Sequence, residues 1–167
     1  MTLAQQFLRI HSLADLLREH AVKASPSADG RKASFSYDKI LARMDDPLAC
    51  QCRGLVLARA DGAPLPTHGV VGETVVLARP FDRFFNHGQG GADLGELLAR
   101  PGSRVWEKYD GTLVIVYFDD FQGRWHTATR ACPEADRLIG DVAGTVDRPM
   151  TFRDLFERTL REAHALS

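Results

Sequence analysis

Apolar residues recur at helical spacing from the start of the chain. Leu3, Phe7 and Ile10 are followed by Leu13, Leu16 and Leu17, which predicts helical structure with one apolar face. Ser12 stands three residues before Asp15, the spacing of a capping box, so a helix is expected from there to about His20. Residues 24–30, Ala-Ser-Pro-Ser-Ala-Asp-Gly, are rich in turn formers and read as a loop. From Ala33 the pattern changes to short runs of β-branched and aromatic residues, giving candidate strands Ala33–Tyr37, Arg53–Arg59 and Thr74–Ala78. Asp61-Gly62, Pro64 and Pro66 break the chain between the last two. Two later runs, Val105–Tyr109 and Thr112–Phe118, meet at Asp110-Gly111, a dipeptide favoured in tight hairpin turns. A strand over Arg124–Ala131 follows a polar break at 119–123, where Asp119-Asp120 reads as a hairpin tip. Thr151 and Asp154 repeat the capping spacing, and Phe152, Leu155, Phe156, Leu160 and Ala163 fall on one helical face. The order predicts an α+β fold with an antiparallel sheet core and helices at both ends, in one domain over residues 1–167.

Composition narrows the class. The 167 residues are 44% hydrophobic and 26% charged, the profile of a globular domain and not of a disordered or fibrous chain. No run approaches the roughly 18 apolar residues of a membrane span, and the first residues lack a basic region followed by an apolar core; a cytoplasmic location is expected. Cys50, Cys52 and Cys132 form an odd set without CxxC spacing, which suits reduced thiols. The closely spaced pair Cys50 and Cys52 fits two packed thiols or, alternatively, two metal ligands. A net charge of −1 argues against a surface coated in positive charge for nonspecific nucleic-acid binding. Of 21 basic residues only four are lysine: Lys23, Lys32, Lys39 and Lys108. Arginine does not give up its proton, so a nucleophilic amine has to come from one of these four.

One of them sits in Glu107-Lys108-Tyr109-Asp110-Gly111-Thr112-Leu113, a K-x-D-G pattern. A lysine attacks the α-phosphorus of ATP only as the neutral amine, so burial or a nearby cation must favour that form. Gly111 would let backbone approach a nucleotide, although Asp110-Gly111 is equally explained as a hairpin turn. Upstream, Cys52-Arg53-Gly54 opens a strand, and Arg79-Pro80-Phe81-Asp82-Arg83-Phe84-Phe85-Asn86 follows another, offering two cations and stacked aromatics. Arginine forks suit phosphate oxygens and aromatic faces suit a purine. Taken singly, Arg53 also reads as a surface strand charge, and Phe84 with Phe85 as core. His68, His87 and His126 lack ligand spacing and read as solvated or packed. Gly88-Gln89-Gly90-Gly91 lacks the lysine and hydroxyl ending of a phosphate loop and reads as an ordinary loop.

In sequence order, C-R-G, then R-P-x-x-x-F-F-N, then E-K-x-D-G-[ST]-L resemble the phage-type ATP-dependent RNA ligases, which seal 5′-phosphate and 3′-hydroxyl ends in tRNA repair. The resemblance extends upstream to Phe35-Ser36-Tyr37 and covers residues 33–130. It implies a nucleotidyltransferase adenylation fold, a covalent lysyl-AMP intermediate on Lys108, ATP and Mg²⁺ as cofactors, and broken tRNA-like RNA strands as substrates. It also implies that Arg53, Gly54, Arg83, Phe84, Phe85, Glu107, Asp110 and Gly111 line the nucleotide site, with no metal ligand identified. Arg83 falls where the family has lysine, which keeps the charge but changes its geometry. Strand 124–131 offers Thr127, Thr129 and Arg130 where the family has a lysine before a small-residue turn.

The family pattern continues beyond the segment resembling 151–166 into two glutamate motifs and a paired-lysine motif, and none of these follows Ser167. The chain is therefore expected to be the first part of an adenylation domain, incomplete at its C-terminal side and without much of the machinery on its own. Two rival readings remain: a ligase-like module that binds nucleotide or RNA ends without chemistry, and DNA ligation or mRNA capping, which share K-x-D-G but not the flanking motifs. The ligase reading requires the Lys108 amine to sit uncharged beside a nucleotide, with cations delivered by the two earlier segments.

Overall fold

The computed structural model describes residues 1–139 and 150–165, a mixed α+β arrangement of five helices and two antiparallel sheets among those residues. Helix α1 (Leu3–Leu8) and helix α2 (Leu13–His20) both start at capping boxes, Thr2 with Gln5 and Ser12 with Asp15. In each, the cap hydroxyl accepts the third residue's N–H while that residue's side chain accepts the cap's own, satisfying two donors that a helix start leaves open.

Strands β1 (Val22–Pro26), β2 (Lys32–Tyr37), β3 (Arg53–Arg59) and β4 (Thr74–Ala78) form a meander in that spatial order. The turn formers at 24–30 concealed β1, which ends on Pro26 opposite Ala33. A proline without an N–H is tolerated there because β1 is the sheet edge. Between β2 and β3, helix α3 (Pro47–Gln51) begins with Pro47 at its first turn, and Asp46 Oδ1 accepts from Leu48 N at 2.9 Å and Ala49 N at 3.2 Å. This Asp-Pro start was present in the sequence and predicts a helix that the strand-like surroundings obscured.

Alternation along β2 and β3 gives the sheet two different faces. Ala33, Phe35, Leu55 and Leu57 bury on α1–α3 together with Leu8, Leu16 and Leu48. Lys32, Ser34 and Val56 belong to the opposite side, because Ser34 pairs with Val56 and side chains alternate along a strand. A second sheet covers that side: β5 (Val114–Asp119) pairs with β6 (Arg124–Thr129) in an antiparallel hairpin, and Ile115, Tyr117 and Ala128 pack on Val56 and Ala78. Helix α4 (Leu94–Ala99) is short and exposed, capped by Asp93. Helix α5 (Phe152–Ala165) starts where expected, with Thr151 and Asp154 bonded reciprocally; on its apolar side Phe152 and Phe156 are half-buried, while Leu155 is 41% and Leu160 47% exposed. Leu166 and Ser167 lie outside the described residues.

The expected strand Val105–Tyr109 is not formed. Residues 103–110 carry no regular structure, and Val105, Trp106 and Tyr109 are 82%, 76% and 80% exposed. β-forming residues make a strand only against a neighbour, and no described strand lies beside these. Among the described residues the sheets do not close into a barrel. No helix among the described residues is long and apolar enough to cross a membrane.

Candidate functional site

Arg53 opens β3 and sits against the loop that follows β4. Its guanidinium carbon is 4.3 Å from the centre of the Phe81 ring and 4.7 Å from that of Phe84. Stacking on two rings holds the planar fork without using its hydrogen-bond donors. One of those donors, Nη1, is buried with no hydrogen-bond partner among the described residues. A charged donor in that position costs free energy unless an acceptor meets it, and an anionic oxygen is the acceptor it suits best.

Arg83 belongs to a second stack. Its guanidinium lies 4.5 Å from the Tyr37 ring centre and 5.0 Å from that of Phe85, and its Nη1 donates to the Ala42 carbonyl at 3.4 Å. The Arg83 backbone N–H donates to Cys50 O at 2.8 Å, which pins this loop to the end of α3. Arg130, just past β6, approaches the same Tyr37 ring at 5.3 Å. Tyr37, the last residue of the Phe-Ser-Tyr run, thus connects the two, a role that sequence reasoning did not give it. Phe81 and Phe84 remain 55% and 51% exposed, so these rings are open surfaces and not core.

Gly54 takes part through packing. The register slips here, with Phe35 opposite Leu55 but Ser36 opposite Arg53, and Gly54 adopts φ +97° in the bulge. A Cβ on Gly54 would meet Ile115 Cδ1 at 2.8 Å and the Arg130 Cα at 3.1 Å. The absence of a side chain therefore lets the hairpin approach the sheet and brings Arg130 over Tyr37.

The Lys108 segment stands apart from these stacks. Lys108 is 69% exposed at its side chain, and its Nζ is 3.4 Å from Asp110 Oδ1. Glu107 and Asp110 are also exposed, and a Cβ on Gly111 would meet nothing within 4 Å. The structure joins Arg53 to Phe84 and Arg83 to Phe85, but gives Lys108 no contact with either arginine.

The lysine that the fold does bury is Lys32. It is 1% exposed, with Nζ 2.8 Å from Asp119 Oδ2 and 3.0 Å from Glu134 Oε1. His126 completes the cluster: Nε2 faces Lys32 Nζ at 3.3 Å and Arg124 Nε at 3.2 Å, and Nδ1 lies 3.7 Å from Glu134 Oε1. Burial, then Lys32 and Arg124, lower the His126 pKa and keep the ring neutral. Tyr117 donates to the Pro133 carbonyl at 2.7 Å, and burial with Asp119 and Glu134 nearby raises its pKa. Asp119 does head the hairpin turn, accepting from Phe121 N and Gln122 N, but its second oxygen is buried on Lys32. The signal was Lys32 at a strand start in a chain with four lysines, which marks the residue without revealing its partners.

Cys52 is buried, and its thiol is pushed up to about 12 by burial and by nearby Asp46 and Asp82 carboxylates, so it stays protonated. Among the described residues no group of three or more His, Cys, Asp or Glu side chains is arranged to hold a metal ion. A protein-held Mg²⁺ site does not fit the described residues.

Over 140 residues the chain is 31% identical to the "Putative bifunctional polynucleotide kinase/RNA ligase" of Autographa californica nuclear polyhedrosis virus, which takes in 78% of this chain. The chain spans 17% of that protein's length. No protein-family model matches the chain, and no solved structure matches it.

Proposed function

We propose that this chain is the nucleotide-binding part of an RNA ligase, with ATP held at the Arg53 stack and Lys108 as the residue that becomes adenylylated. The observation that carries the reading is the buried, unpartnered Nη1 of Arg53 between two exposed rings. A triphosphate oxygen satisfies that donor, and Phe81 or Phe84 offers a face to the purine. The ordered motifs and the viral relative support the same reading. Arg83 supplies a second cation, held by Tyr37 and Phe85.

In the reaction, the neutral Lys108 amine forms a bond to the α-phosphorus, the bond to the bridging oxygen breaks, pyrophosphate leaves and the nitrogen sheds a proton. Arginine donors at the phosphates stabilise charge on the leaving group. A 5′-phosphate of an RNA end then attacks the same phosphorus, breaking the P–N bond and freeing the lysine; a 3′-hydroxyl attacks the activated 5′-phosphate, losing its proton, forming the phosphodiester and releasing AMP. Reaching this geometry requires the 104–111 segment to leave solvent and fold over the arginine stacks, where desolvation and the two cations favour the uncharged amine.

Incubation with α-labelled ATP and Mg²⁺ tests the proposal. The expected result is acid-labile label on the protein, absent in Lys108→Ala and strongly reduced in Arg53→Ala. The exposed position of Lys108 supports a second reading, a module that binds nucleotide without chemistry. Noncovalent ATP binding that depends on Arg53 but not on Lys108, with no trapped label, would select it. Sealing of broken RNA but not of nicked DNA separates RNA ligation from DNA ligation and capping.

A further inference from the structure

A groove of about 500 Å³ lies beside the Arg83 stack, with which it shares Tyr37, between strands β1 and β2 and the chain leaving β6. Its cationic lining is Lys23, Lys39, Arg130 and Arg137, and its carboxylate is Asp38. Asp38 is already satisfied: it accepts from Lys23 Nζ at 2.8 Å and from the N–H groups of Ile40 and Leu41 at 2.9 and 3.1 Å. Lys39, Arg130 and Arg137 have no ion-pair partner among the described residues, and Arg130 is held in place by the Tyr37 ring. The groove thus gathers three cations that no carboxylate among the described residues pairs with, beside one carboxylate that is already satisfied. Ser25 and Ser36 add hydroxyls on the same wall. The volume falls in the range of ordinary ligand sites.

From this lining we infer that the groove seats the phosphodiester backbone of a single RNA strand, placing its end beside the nucleotide site. The inference rests on the ligase reading for the chemistry of the end, but its own basis is the unpaired charge. Successive phosphates need cations spaced along a track, which a groove with lysine at one wall and arginine at the other supplies. A free nucleotide would need a base-stacking face, and the Tyr37 ring here is engaged by Arg83 and Arg130. Tyr37 thus stands between the two sites and holds one arginine for each.

The test is fluorescence anisotropy with a 5′-phosphorylated single-stranded RNA 12-mer, as a function of salt, on the full chain and on the Lys39→Glu, Arg137→Glu double variant. Both positions are exposed, so the fold is expected to survive, and circular dichroism checks that it does. The affinity should drop at least tenfold at low salt. The slope of log K against log salt should fall by about 1.4, since each phosphate contact on a single strand contributes roughly 0.7. An unchanged affinity and slope overturns the inference, and so does competitive displacement of the RNA by ATP, which would make the groove the nucleotide site. Label transfer from ATP is measured in parallel. If label is never trapped but RNA binding responds to the double variant, the ligase reading fails and the strand seat stands; if label is trapped normally while RNA binding ignores the variant, the seat fails and the ligase reading stands.

Discussion

Lys32 carries a large electrostatic commitment, because its ammonium, 1% exposed, is balanced by Asp119 at the end of β5 and Glu134 in the turn beyond β6. Removing one member of a buried ion pair leaves the others desolvated without compensation, at a typical cost of about 3–5 kcal/mol. Lys32→Met should therefore lower stability by about that amount in urea unfolding, and adding Asp119→Asn in the same chain should recover part of the loss. His126 gives this cluster a pH dependence. Its pKa in the fold lies below the ordinary 6.5, from burial first and then from Lys32 and Arg124. The unfolded chain therefore takes up a proton near pH 6.5 before the folded one does. Stability from this residue is complete above about pH 6.5 and is lost as pH falls toward the lower folded value. For Asp119, burial pushes the carboxyl up, but the Lys32 hydrogen bond and charge and two backbone N–H groups outweigh it, and the net shift is below 3.8. Its contribution persists above about pH 4 and disappears only in stronger acid. Melting temperatures followed from pH 8 to pH 5 should fall more in the native sequence than in His126→Gln; equal slopes would show that the ring is not held neutral.

Between elements, the contact between β3 and the hairpin depends on what is absent at Gly54. Alanine there meets Ile115 Cδ1 at 2.8 Å and Arg130 Cα at 3.1 Å, on a backbone at φ +97° that side chains disfavour. The isoleucine methyl can turn aside but the Arg130 backbone cannot, so Gly54→Ala should cost about 1–3 kcal/mol and shift Arg130 off Tyr37. Denaturation together with the RNA-binding assay checks both effects. Thr151→Ala should remove a capping interaction from α5 and lower its helicity, with a cost of about 1 kcal/mol that circular dichroism reads. How far such features were legible varies with their range. Capping boxes at Ser12 and Thr151 and the spans of β3 and β4 follow from local periodicity, and they appear where the sequence predicts them. The edge strand β1 and the unformed strand at 105–109 depend on which neighbour is present, and no residue within either segment carries that information. The site divides the same way. Arg53, Arg83, Phe84 and Phe85 are legible in the sequence as candidate nucleotide-site residues, whereas the stacking of each arginine on a ring and the pairing of Lys32 with Asp119, 87 positions away, are set by topology alone.

At the scale of the molecule, two cores of unequal size share one sheet. The helix side buries fourteen apolar residues among those described, and the hairpin side five. Buried apolar area is the main source of stability, so the hairpin is the part expected to open first. Three devices compensate for its small core: the close approach at Gly54, the Lys32 ion pairs, and the bond from Tyr117 to the Pro133 carbonyl. This division bears on function, because Arg130 and Arg137 are attached to the hairpin side, whereas Arg53, Arg83 and Lys39 belong to the first sheet and its loops. Opening the hairpin would take apart the RNA groove and leave the Arg53 stack intact. Amide hydrogen exchange on the native sequence and on Lys32→Met tests the coupling. In the variant, amides of β5 and β6 should exchange through a local opening with protection lowered by at least a hundredfold, while amides shared by β2 and β3 follow only the smaller global loss. Equal loss of protection across both sheets would instead show that they fold as one unit, and nucleotide and RNA binding would then fail together on acidification instead of in sequence.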